Sequence, residues 1–163
     1  MSLKYIPLIF IGAIASITTT LADHHGNAAD IESVIEATRS YNNAANSGSW
    51  EEHYSYIALG CTAFYEAGML RETKETPQNF ERQIARLTER SKNGMQRGIF
   101  IRHPEATIYG DTAIVTCYQH GRYRSSADAD REDILNRVTF VWRRTDDGWK
   151  LVHEHYSVME KDF

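Results

Sequence analysis

The chain has 163 residues, 42% hydrophobic and 25% charged, a globular composition rather than a disordered or collagenous one. The length suits one domain and argues against two full-sized ones. Lys and Arg number 18 against 22 Asp and Glu, and the resulting formal net charge of -4 argues against a strongly basic nucleic-acid binder.

Residues 1–22 read as an export signal. Lys4 is the only charge, Tyr5 to Ile17 is apolar, and Thr20 and Ala22 are small residues where a signal peptidase reads. The apolar run is short for a membrane span, and no Cys near Ala22 supports a lipid anchor. The protein is expected to be exported, periplasmic or secreted, with no membrane attachment once the signal is removed. Residues 23–29 read as a flexible leader, and 30–163 as a single domain. Cleavage after Ala22 would place His25 third in the mature chain, behind His24. A free amine, two amides and an imidazole form a square-planar site for Cu(II) or Ni(II), so His24 and His25 are candidate metal ligands.

The first helix is expected from Ala28 or Asp30, with Ile31, Val34, Ile35, Thr38 and Tyr41 on one apolar face and Asn46-Ser47-Gly48 as its stop. Ser49-Trp50-Glu51-Glu52 reads as a capping box opening a short helix to about Tyr56. Cys61 to Glu66 reads as a strand and Gly68 to Glu75 as a loop. Thr76-Pro77 caps a third helix whose buried face carries Phe80, Ile84 and Leu87, with Lys92-Asn93-Gly94 at its end. The period then changes to two. Met95 to Arg102, Ala106 to Tyr109, Thr112 to Tyr123, Ile134 to Arg144 and Trp149 to Val158 read as strands. Tyr109-Gly110-Asp111 and Thr145-Asp146-Asp147-Gly148 supply turn chemistry, and Ser125 to Asp130 a polar hairpin loop.

Helices followed by a meander of strands predict an α+β fold: N-terminal helices packed on a strongly curved antiparallel sheet, shaped as a cone with a hollow for a small molecule. An oxidising compartment would let Cys61 and Cys117 pair, while their strand-like surroundings suit two small buried hydrophobes equally well. No CxxC, nucleophile elbow, P-loop, GxGxxG or HExxH occurs, and no cofactor is called for.

This order of elements resembles the nuclear transport factor 2-like (SnoaL-like) superfamily, most of all the association (hub) domain of calcium/calmodulin-dependent kinase II and its free-standing bacterial relatives. The residues that carry the resemblance are Asn46-Ser47-Gly48-Ser49-Trp50, Thr62-Ala63-Phe64, Tyr109-Gly110-Asp111-Thr112-Ala113, Val141-Trp142-Arg143-Arg144, Gly148-Trp149, and Val152-His153-Glu154-His155 with Ser157. The resemblance implies a domain that dimerises through its sheet and, in the hub subgroup, builds rings. It does not imply one chemistry. Hub domains carry a cationic pocket suited to small carboxylates. Its basic positions fall here on Glu81, Gln119, Phe140 and Tyr156, so the resemblance implies a less positive cavity.

Three functional readings follow. The first is an exported, self-assembling homodimer or ring with a small-molecule pocket and no assured catalysis. Gln119, Phe140, Tyr118 and Glu154 are the candidate ligand-binding residues. The second is an isomerase- or dehydratase-like enzyme: Glu81 over an apolar cone would act as a base of raised pKa, and Tyr156 would offer a hydroxyl opposite it. The third is copper or nickel binding at His24 and His25. His153 and His155 project from one strand face and would need a third ligand such as His120 to hold a metal.

Overall fold

Helix α1 runs Ala28–Ser47 in a computed structural model that describes residues 27–65, 70–71 and 76–159, the pair 70–71 through its backbone only. Residues 1–22, and with them the export signal, lie outside the described residues, as do His24 and His25. The Asn27 side chain opens α1 by accepting the Asp30 N–H at 2.9 Å. Gly48 closes it at φ 76°, a left-handed conformation in which its N–H reaches the carbonyls of Ala44 and Ala45. Val34, Thr38, Tyr41 and Ala45 are buried at spacings of three and four, so one face lies against the sheet.

Helix α2, Trp50–Ser55, forms without the expected capping box: the Ser49 hydroxyl shares a hydrogen bond with Ser47 Oγ at 3.0 Å instead of capping the helix. Strand β1 follows at Ile57–Phe64, then the two-residue β2, Leu70–Arg71. Helix α3, Pro77–Lys92, begins as its sequence predicts, with Thr76 Oγ1 accepting from the Asn79 N–H at 3.3 Å and Pro77 in the first turn. None of its residues is fully buried; Phe80, Ile84 and Leu87 rest half-buried on the core.

Four long strands complete the chain: β3 (Gln96–Tyr109), β4 (Thr112–Arg124), β5 (Glu132–Thr145) and β6 (Gly148–Val158). The sheet order is β2-β1-β6-β5-β4-β3. The two strands expected between Met95 and Tyr109 are one. Its pairing shifts between Arg102 and Glu105, where His103 has φ 48° and Pro104 has no N–H to give a neighbour.

The sheet is antiparallel from β3 to β6, but β1 joins β6 in parallel, so it is mixed rather than antiparallel throughout. The reason lies in the entry from α2. The chain reaches the sheet beside the start of β6, where Leu151 N–H donates to Tyr56 O at 2.7 Å, and then runs the same way. Alternation along the strands builds two faces. Ala113, Val115, Cys117, Val138, Phe140, Trp142 and Leu151 form the core on the face beneath α1. Phe100, Ile114 and Tyr118 are exposed on the other. Cys61 and Cys117 are both buried in this core.

Candidate functional site

The pairing of β5 and β6 shifts between Val141 and Trp142, and beyond that irregularity Glu154 faces inward. Its residue is 1% exposed. A carboxylate taken out of water needs donors, because desolvation otherwise favours its neutral form. Three tyrosines supply them. Tyr41, on the buried face of α1, donates to Oε2 at 2.8 Å, and Tyr156, two residues along β6, donates to the same oxygen at 2.8 Å. Tyr65, just past β1, donates to Oε1 at 3.0 Å. Tyr65 and Tyr156 stack with ring centroids 5.4 Å apart, and Phe140 stands edge-on to Tyr41 at 5.9 Å and to Tyr156 at 6.1 Å. Rings therefore hold the hydroxyls on the carboxylate.

Burial is the main reason that the hydroxyls of Tyr41 and Tyr156 hold their protons well above the ordinary phenol range. The Glu154 carboxylate adds to this in both. At Tyr156 the Arg97 charge pulls the other way. Both phenols thus stay donors across the physiological range.

A second polar group adjoins the first. Asn42, buried on α1, accepts at Oδ1 from Arg97 Nη2 at 3.2 Å and Gln119 Nε2 at 3.4 Å, and donates to Ile99 O at 2.7 Å. Asn46, one turn on, donates to the same carbonyl at 2.7 Å and accepts the Ile99 N–H. A helix normally offers such a sheet an apolar face; here two amides fasten α1 to β3.

A SnoaL-like domain model matches residues 34–161, which includes every element of this site. The chain belongs to the SnoaL-like family. No curated protein matches it. Among solved structures, this SnoaL-like protein is similar to a candidate dehydratase of the NTF2-like family from Streptomyces avermitilis. The two are 23% identical, with a TM-score of 0.63 over 81% of this chain and 97% of that one. It is also similar to the CaMKII hub of S. rosetta, at 24% identity and a TM-score of 0.60 over 79% and 96%. A candidate calcium/calmodulin dependent protein kinase II association domain from Xanthomonas campestris shares 15% identity, with a TM-score of 0.58 over 78% and 86%. At these identities the likeness is one of fold.

Within this SnoaL-like fold the residues singled out from sequence separate. Glu154, Tyr156 and Phe140 come together, and Gln119 joins the adjoining amide group. Tyr118 does not: it follows Cys117 and precedes Gln119, so alternation turns it to the outer face, where it is 42% exposed. Glu81 is exposed on α3 rather than set over the interior, and Tyr156 donates to Glu154 instead. His153 bonds Thr62 Oγ1 at 2.7 Å through Nδ1 and sits beside Phe64. Among the described residues no three metal-ligating side chains converge.

Sequence reasoning missed Tyr65 and Arg97 and assigned Tyr41 to packing alone. The hint for Tyr41 was a polar tip on an otherwise apolar helix face. Two cavities lie elsewhere, one of about 560 Å³ at the ends of α1 and α3 and one of about 660 Å³ on the outer sheet face; Glu154, Phe140, Gln119 and Tyr156 line neither.

Proposed function

We propose that this SnoaL-like domain is an exported, self-associating module. One observation carries the self-association: several large apolar side chains are exposed on the outer sheet face. Phe100 is 53% exposed, Ile114 37% and Tyr118 42%, with Phe64 at 36% on β1. Tyr118 pairs with Arg102, and Phe100 with His120, so these rings occupy neighbouring strands. Exposed large apolar side chains on one sheet face favour a partner, and a second copy offers a matching face. The likeness to a hub and an association domain supports that occupant. Export rests on the apolar run Tyr5 to Ile17 followed by Thr20 and Ala22.

Light scattering on the purified protein tests the assembly. A dimer or larger ring is expected, and Phe100→Asp with Tyr118→Asp should yield monomers. A wild-type monomer at working concentration overturns the reading.

A second reading, proton transfer of the isomerase or dehydratase kind, is favoured by the hydrogen bond between Tyr156 and Glu154, with Glu154 taking the role expected of Glu81. It requires Glu154 to change protonation near neutral pH. Infrared difference spectra of wild type against Glu154→Gln would show a carboxyl band that titrates between about pH 5 and 9. A band that does not move rules the base out.

A further inference from the structure

At the end of the fold where α1 and α3 stop, the starts of β3 and β5 meet the end of β4 around a cleft of about 560 Å³. That volume is within the range of small-molecule sites. Four arginines line it: Arg97 from β3, Arg122 and Arg124 from β4, and Arg131 at the entry to β5. Among the described residues no Asp or Glu lines it, although acids outnumber bases in the chain, 22 to 18. Like charges gathered in one concavity raise a positive potential that favours anions.

The hydrogen bonding of these arginines is incomplete. Arg122 has an acidic partner, Asp133, at 3.4 Å, and Arg131 Nη2 donates to Gln96 Oε1 at 3.4 Å. The Nε atoms of Arg97 and Arg124 are buried and have no partner. A guanidinium N–H without an acceptor is costly, so the fold itself leaves these two side chains under-satisfied. The walls are fixed. Trp50 Nε1 donates to Ser91 Oγ at 3.0 Å, and Tyr123 accepts from Arg90 Nη2 at 2.8 Å.

We propose that this cleft binds a small molecule bearing two or more anionic oxygens, as in a phosphate ester or a polycarboxylate. Arginine forks suit both oxyanions through paired N–H donors. The cleft is separate from the interior carboxylate. None of Glu81, Gln119, Phe140 and Tyr156 lines it. Arg97 belongs to both: its Nη2 donates to Asn42 inside, and the residue lines the cleft.

Isothermal titration of the purified protein with inorganic pyrophosphate and with citrate tests the site, against sodium chloride at equal ionic strength. Saturable binding of at least one is expected, and the tighter of the two tells a phosphate site from a carboxylate site. Arg124→Gln and Arg131→Gln should each weaken binding about tenfold, whereas Arg137→Gln, on the outer face of β5, should leave it unchanged. Arg131 is exposed, so its variant keeps the fold even if Arg124→Gln does not. Absence of saturable binding overturns the proposal, as does an equal response to chloride or an undiminished affinity in Arg131→Gln. None of these outcomes touches self-association, which is read by molecular mass.

Discussion

Tyr41 on α1 and Glu154 on β6, 113 positions apart in the chain, share a buried hydrogen bond of 2.8 Å. It ties the first helix to the last strand through a carboxylate that water does not reach. A hydrogen bond to a charged, buried acceptor is worth about 2 kcal/mol. Tyr41→Phe should therefore lower unfolding free energy by roughly that amount in urea titration. Glu154→Ala strands three hydroxyls at once and should cost roughly 3 kcal/mol or more. A double-mutant cycle measures the coupling between the two, and additive losses would mean that the bond contributes nothing of its own.

The same contact makes stability depend on alkaline pH. Burial and the Glu154 charge raise the folded-state pKa of Tyr41 and Tyr156 above the unfolded value. Above the ordinary phenol pKa of about 10 the unfolded chain releases protons that the native protein still holds. The stabilisation is thus full below about pH 10 and is lost as pH rises through the folded values. Melting temperature should fall above that point, more steeply in wild type than in a variant with Tyr41→Phe and Tyr156→Phe. Equal slopes would contradict the assignment.

Cys117 offers a chemical readout of the core. Burial pushes its thiol pKa up to about 12, so almost no thiolate exists at neutral pH. Cys61 is 1% exposed. Native protein should react with a thiol-specific disulfide reagent only as fast as it opens, whereas denatured protein should titrate both thiols at once. If the denatured, unreduced chain shows no thiol, the two cysteines are paired.

Gly121 on β4 is a close-approach glycine. A Cβ built there would stand 2.1 Å from the Gly98 carbonyl oxygen and 2.7 Å from Ile99 Cα, both backbone atoms that cannot rotate away. Gly121→Ala should push β3 off β4 beside the arginine cleft and cost at least about 2 kcal/mol by thermal or urea unfolding. An unchanged melting temperature would mean that the edge strand moves freely.

The element order was legible because its signals are local. Asn46-Ser47-Gly48 and Thr76-Pro77 mark helix ends through bonds to residues a few positions away, and each does so in the structure. Ser49 shows the limit of such signals: the helix forms where its sequence says, yet the hydroxyl turns to Ser47. The interior site was legible in half. Glu154, Tyr156, Phe140 and Gln119 sit at strand positions whose alternation puts them in the interior, but alternation gives a face only relative to a neighbour. Tyr118 and Gln119 were both assigned to one pocket although adjacent strand residues point apart. Glu81 failed for a related reason: α3 is half-buried at best, so its polar face was taken for an inner one.

What the sequence determined by itself was the kind of protein: helices first, a meander after, and a SnoaL-like pattern through the last strands, all set by short-range periodicity and turn chemistry. What only the tertiary structure decided was which distant side chains meet. Tyr41, Tyr65 and Tyr156 converge on Glu154 because β1 pairs with β6 while α1 lies across the inner face of the sheet, and four arginines share a cleft because three strand ends coincide beyond the helices. No spacing along a chain encodes such meetings. They arise when the burial of apolar faces fixes the elements against one another, and the polar groups caught between those faces must then find partners.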